Sequence, residues 1–178
     1  MKADDFRKLI RTVPDFPAKG VQFRDITTLV ANAEGLASAV ERLANDVRNA
    51  DAQAIAGMEA RGFIFGAAVA VHLRLPFIPI RKPGKLPIVA IGVDYQLEYG
   101  TDRLEMDPEG VPQGVNVAIV DDLIATGGTA DAAVELLRMA GANVATAAFV
   151  IGLPDLGGVD RLGRSGIAVT TLVDYPVA

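Results

Sequence analysis

No cysteine occurs among the 178 residues. A disulfide framework and thiol chemistry are therefore excluded, and the composition suits a reducing compartment. Positive charge is in deficit: 17 Lys and Arg against 22 Asp and Glu give a net charge of -5 and a pI of about 4.9. A broad nucleic-acid-binding face is not expected on such a chain. Long unbroken apolar runs are missing too. The most apolar region, 63–80, is interrupted by His72, Arg74, Pro76 and Pro79, so no membrane span is expected. The opening MKADDFRKLI is charged and lacks the apolar centre of a signal peptide, which leaves the cytoplasm as the expected location. There is no internal repeat, low-complexity tract or linker. No cluster of side chains has the spacing of a protein metal site. The lone histidine, His72, falls on an apolar helical stretch and reads as structural.

What is present is a core-forming chain. Hydrophobic residues make up 51%, enough for one folded domain over 1–178. DDFRKLIRTV reads as a short helix with Phe6, Leu9, Ile10 and Val13 on one face. PDFPAKGVQFRDIT, with two prolines and a glycine, reads as an extended loop. Leu36, Val40, Leu43 and Val47 have helical spacing, and RGFIFGAAVAVHL is a helix apolar almost all round, expected to be well buried. AQAIAG, PFIPIRK, VNVAIVDD, NVATAAFVIG and IAVTTLVDY read as strands, with a helix at 130–140 ended by Gly141. Strands alternating with helices predict an α/β fold with a mainly parallel central sheet flanked by helices. Ligands bind such sheets beyond the carboxyl ends of the strands.

One strand ends unusually. VAIVDDLIATGGT places Asp121 and Asp122 side by side at the end of an apolar run. Two adjacent carboxylates repel unless each is solvated or meets a donor, and vicinal sugar hydroxyls are suitable donors. The turn that follows, Ala125, Thr126, Gly127, Gly128 and Thr129, has two glycines for close backbone approach and two hydroxyls. The amides there and the positive end of the next helix suit a phosphate. Pair and turn together read as a ribose-5-phosphate cradle. A Walker loop would need a lysine that is absent, and the dinucleotide G-x-G-x-x-G fingerprint is absent as well. Taken alone, such a turn can merely join strand to helix; the aspartate pair argues against that.

The stretch VAIVDDLIATGGT resembles the phosphoribosyl-pyrophosphate (PRPP) signature of type I phosphoribosyltransferases. In that family the Asp pair holds the ribose hydroxyls and the loop holds the 5-phosphate. Members that use 6-oxopurines carry an aspartate two residues before the first loop glycine; here the position is Ala125, which points away from hypoxanthine and guanine. Further stretches are similar to the adenine-using branch. FPAKGVQFRDIT resembles its base-binding segment, EARGFIFG its pyrophosphate loop, and RKPGKLP with YQLEYGTDRLEM the two ends of its mobile loop.

The resemblance implies a type I phosphoribosyltransferase fold with a small N-terminal base-binding hood at 1–34 and a mobile catalytic loop at 82–100. It implies that backbone atoms of Gln22, Phe23 and Arg24 read adenine, with Phe23 and Leu123 covering its faces. By itself Phe23 reads equally as a core residue under a loop. Pyrophosphate would be held around Glu59, Ala60, Arg61, Arg81, Lys82, Lys85 and Tyr99. A non-proline cis peptide is suggested near Glu59 and Ala60. Glu98 would carry a proton near purine N7, with Arg61 beside the reacting groups. The implied reaction takes adenine and PRPP to AMP and pyrophosphate, assisted by magnesium that the substrate and water largely ligate. A homodimer is implied as well. A transferase for another base, or a non-catalytic PRPP-sensing regulator of the same fold, are the alternatives. One departure is the apolar loop centre, IVAIGVD, 88–94, which implies burial in the chain, against a partner subunit, or on closure.

Overall fold

The computed structural model describes residues 1–97 and 100–176. Helices and strands that are apolar on one side must stack in layers to bury those sides, and the chain order sets which layers form. The N-terminal part is α1 (Ala3–Leu9), a hairpin of β1 (Arg11–Pro14) and β2 (Gln22–Asp25), and a short α2 (Thr27–Val30). Then come α3 (Ala33–Asn49), β3 (Ala54–Met58), α4 (Arg61–Leu73) and β4 (Phe77–Ile80). A ribbon of β5 (Ile91–Leu97) and β6 (Gly100–Met106) leads to β7 (Asn116–Ile124), α5 (Gly128–Met139), β8 (Asn143–Gly152), α6 (Gly158–Arg164) and β9 (Ala168–Asp174).

The sheet runs β4-β3-β7-β8-β9, all parallel, as expected. Two apolar clusters lie on its two faces. One holds Ile119 of β7 with Leu136 and Leu137 of α5 and with Val93, Tyr95 and Leu104 of the ribbon. The other holds Ala118 and Val120 of β7 with Leu43 and Val47 of α3 and Phe65 and Val69 of α4. Strand β7 is thus covered on both sides, which explains its unbroken apolar run. Among the described residues no helix is long and apolar enough to cross a membrane.

Several expectations are corrected. Val13 does not continue the first helix. The backbone turns extended at Ile10 (φ -98°, ψ 113°), and Val13 pairs with Phe23 in the hairpin. The expected loop over 14–27 therefore contains a strand, β2. It is fixed by side chains that periodicity does not report: Arg24 donates to the Thr12 hydroxyl at 2.5 Å, and Arg11 Nε donates to Asp25 at 3.1 Å. Helix α3 starts earlier than its apolar spacing, because the Asn32 side chain caps it by accepting from the Gly35 amide at 2.8 Å. Helix α4 has the predicted ends but buries one face only: Ile64 and Val71 are exposed, and so is His72. Part of the segment expected as a loop at 82–100 is strand β5. Its apolar centre divides, with Val93 in the core beside α5 while Ile88 and Val89 face solvent.

Asp25 is the tie of the hairpin. Its carboxyl is held down to about 2 by the Thr27 hydroxyl, by Arg11 and by the Thr27 amide, which donates at 2.9 Å. An unfolded Asp titrates near 3.9. The tie therefore contributes fully above about pH 4 and is lost as the pH falls through about 2. Asp25→Asn should lower amide protection in β1 and β2 by about three- to tenfold at neutral pH, with the central sheet unaffected. Hydrogen exchange followed by NMR checks this, and equal loss of protection in β7 would contradict it.

Candidate functional site

Strand β7 delivers Asp121 and Asp122 to the carboxyl edge of the sheet, and both are buried there. Asp122 Oδ2 is paired with Arg61 Nε at 2.6 Å. Asp121 Oδ1 accepts the Asp122 amide at 2.8 Å. Burial first, and then the charge of Asp122, push the Asp121 carboxyl well above the ordinary carboxylate range; the amide bond and Arg61 offset only part of this. The seat of Asp121 exists because residue 62 is glycine. A Cβ added to Gly62 would lie 2.5 Å from Asp121 Oδ1.

After β7 the chain turns at Ala125, Thr126 and Gly127. Gly127 takes φ 78°, which a side-chain-bearing residue rarely adopts. That sharp turn starts α5 at Gly128, two residues before the expected start. The first amides of a helix have no acceptor within it, so those of Gly128, Thr129 and Ala130 are directed at the turn. Opposite stands the loop between β3 and α4, where the Glu59–Ala60 peptide is cis, as the sequence resemblance implies. Pair, turn and loop line one cleft of about 440 Å³, with Lys82 at one side and Leu123 at another.

Three of the cations, Arg61, Arg81 and Lys82, are already engaged. Glu59 Oε2 accepts Arg81 Nε at 2.9 Å and the Lys82 amide at 3.0 Å. Arg81 and then the Lys82 amide hold the Glu59 carboxyl below its usual range. The Lys82 ammonium is bonded to Asp102 and to the Tyr95 hydroxyl, the latter at 2.9 Å. Burial alone would lower its pKa, but these two bonds outweigh burial and raise it. Lys85 is exposed, and its carbonyl accepts from Arg81 at 3.4 Å. Among the described residues, neither Arg81 nor Lys85 lines the cleft.

Beside the cleft lies an apolar hollow of about 390 Å³, lined by Val13, Phe16, Phe23, Ile26 and Arg61 among others. Phe16 and Phe23 meet edge to face at 5.1 Å between ring centres. Arg61 borders both spaces, with its guanidinium 5.7 Å from the centre of the Phe23 ring. Gln22 is exposed. The Arg24 side chain turns away, its guanidinium 4.2 Å from the centre of the Tyr175 ring, so only backbone atoms of this residue are available to the hollow. Glu98 and Tyr99 lie outside the described residues.

Sequence reading missed three contributors: Gly62, Tyr95 and Asp102. Gly62 carries a signal, since it follows Arg61 directly in EARG. Tyr95 and Asp102 face one another across the ribbon, a pairing that no local pattern announces.

Paired carboxylate acceptors next to free backbone donors, at the carboxyl end of a parallel sheet, suit the class of proteins that handle phosphorylated sugars. Similarity to known proteins narrows the class. Residues 26–162 match the phosphoribosyl transferase domain. The chain is 62% identical over 176 residues to the adenine phosphoribosyltransferase of Novosphingobium aromaticivorans, covering 99% of each chain. It is similar in structure to the adenine phosphoribosyltransferase of Thermoanaerobacter pseudethanolicus, with TM-score 0.92, 40% identity, and coverage of 98% and 100%. It is also similar to the Saccharomyces cerevisiae enzyme complexed with adenine and an imino-altritol bisphosphate, with TM-score 0.89, 36% identity, and coverage of 96% and 97%. The chain belongs to the phosphoribosyltransferase family, in its adenine phosphoribosyltransferase branch.

The raised pKa of Asp121 has a consequence for stability. An acid that binds its proton more tightly folded than unfolded favours folding at low pH and opposes it as pH rises through the folded value. Asp121→Asn should therefore raise Tm at pH 7–8 by about 2–4 °C, and the gain should shrink toward about pH 4, where the unfolded acid is also protonated. Thermal melts across this range check the sign; destabilisation at pH 8 would contradict it.

Proposed function

We infer that this chain transfers the 5-phosphoribosyl group of PRPP to adenine, giving AMP and pyrophosphate, a purine-salvage reaction. The observation that carries this reading is the placement of Arg61. It stands between the Asp pair and the Phe23 hollow, so a ribose held by the one presents its anomeric carbon toward the other.

In this reading Asp121 and Asp122 accept the ribose hydroxyls, and the amides of 126–130 with Thr126 and Thr129 hold the 5-phosphate. The loop Glu59, Ala60 and Arg61, with Arg81, Lys82, Lys85 and Tyr99, receives the pyrophosphate. Adenine lies where the hollow meets the cleft, between Phe23 of the one and Leu123 of the other, read by backbone atoms of 22–24. Its N9 forms the new bond to the anomeric carbon as the bond to pyrophosphate breaks. The positive charge that develops on the ribose is favoured by the carboxylates beneath it. Family resemblance assigns to Glu98 the holding or moving of the proton at purine N7, and Ala125 leaves no acid at the position a 6-oxopurine enzyme uses.

Magnesium fits this site as a companion of PRPP. The ion favours phosphate oxygens, water and one or two carboxylates; the carboxylates lining the cleft are Glu59, Asp121 and Asp122, and Asp121, which no cation pairs among the described residues, would be the first to reach it. When bound, the ion would neutralise charge on the leaving pyrophosphate. Within the segment 82–100, closure over the site to exclude water falls to the residues outside the core-packed strand β5, and residues 1–34 act as the hood of a single catalytic unit, 1–178. We place the enzyme in the cytoplasm as a homodimer; the exposed Ile64 and Val71 on α4 support pairing with a second copy.

A panel of adenine, guanine, hypoxanthine and orotate with PRPP and magnesium tests the reading. AMP from adenine is the expected product, and better use of another base would refute the assignment. Replacing both Asp121 and Asp122 by alanine should lower AMP formation by about 10²–10³-fold. Near-normal turnover in that variant would remove the site from the reaction.

A further inference from the structure

The turn expected to hold the 5-phosphate does not stand alone. The Ala125 carbonyl accepts the backbone N–H of Gly158 at 3.0 Å. Gly158 opens α6, on the crossover between β8 and β9, and takes no part in the site described above. A Cβ added to Gly158 would fall inside contact distance of that carbonyl oxygen and 2.8 Å from the Gly127 nitrogen. From the other side, a Cβ on Gly127 would stand 2.9 Å from Gly158 Cα and 3.0 Å from its carbonyl oxygen. The two nearest contacts on each side are backbone atoms, which cannot yield as a side chain can; the Ile124 side chain stands third, 2.9 Å from the Gly158 Cβ.

A second tie runs from the same helix. Arg161 Nε and Nη2 both reach Asp131 Oδ2, at 3.0 and 2.9 Å, and the Ser165 hydroxyl donates to Oδ1 at 3.3 Å. Asp131 lies in the first turn of α5. A carboxylate there suits the helix dipole but opposes an anion bound at the same end. Arg161 cancels that charge, and one of its nitrogens lies 3.7 Å from where a Gly128 Cβ would be.

We propose that the Gly157–Arg161 segment is a positioning element for the 5-phosphate: Gly158 sets where the amides of the turn point, and Arg161 neutralises Asp131 beside them. Both act through other residues and are positioning residues. The inference rests on the phosphoribosyl-transfer reading, which turnover of adenine and PRPP by the unmutated chain tests separately.

Steady-state kinetics would be measured for G158A, R161Q, R161Q/D131N and G163A, varying PRPP and adenine in turn. A Cβ at Gly163, also on α6, meets nothing within 4 Å, so G163A is the control. G158A should raise KM for PRPP by about 10- to 100-fold while KM for adenine stays within about twofold, and G163A should match the unmutated chain. R161Q should raise KM for PRPP about three- to fivefold, and adding D131N should reverse that. Equal shifts in both KM values, a fall in kcat alone, or a double variant no better than R161Q would overturn the proposal. Should G158A not fold, the unmutated chain still decides. Saturating ribose 5-phosphate should slow hydrogen exchange at the Gly158 amide by about tenfold or more, and adenine alone should not. Exchange indifferent to ribose 5-phosphate would overturn it.

Discussion

The structure depends on keeping two adjacent carboxylates at the end of a strand that is buried on both faces. Removing charge from water is costly, and like charges side by side add to the cost. The fold meets this with a small set of fixed groups. Arg61 pairs with Asp122, the Asp122 amide bonds Asp121, and Gly62 lets the first turn of α4 come within contact of the Asp121 carboxylate. What remains uncompensated appears as the raised pKa of Asp121. A carboxyl pair in this condition is unfavourable for the fold and suits a partner that brings hydroxyl donors.

Arg61 links that constraint to the rest of the site. Its side chain is half exposed, and it ties an electrostatic requirement of the fold to the border between polar cleft and apolar hollow. A lysine could carry the charge. It lacks the planar guanidinium, which here lies against both a carboxylate and the Phe23 ring. The two halves of the proposed reaction therefore share one wall, and that wall is held by the group whose cost it offsets.

Much of this was readable from residues alone, for a physical reason. The parallel strands and α3, α4 and α5 bury long apolar faces, and burial writes periodicity into sequence. The Asp pair and the glycine turn stand out because their chemistry conflicts with a buried strand end. The hairpin did not stand out. Its register is set by Arg11, Arg24 and Asp25 reaching across strands, and β1 and β2 are too short and too exposed to carry an alternating pattern. The exposure of Ile64, Val71 and His72 was likewise hidden, since a helix apolar all round does not say which face the sheet takes. The partners of Lys82 depend on the ribbon register that places Tyr95 opposite Asp102, and sequence distance conceals that.

The acidic chain raises a last point about how it could bind a polyanion. Three of the four cations proposed for pyrophosphate are already matched by carboxylates: Arg61 by Asp122, Arg81 by Glu59 and Lys82 by Asp102. An incoming phosphate must therefore compete with a neighbour of the same sign, and only the difference between the two interactions counts toward affinity. A single inorganic phosphate gains little from such an exchange. A ligand that also brings hydroxyls for Asp121 and Asp122 fills the acceptors that Arg61 would leave, so displacement of the arginine by one part of the ligand is offset by another. Discrimination in favour of the whole activated sugar over its fragments follows from that pairing, and it requires no excess of positive charge anywhere on the surface.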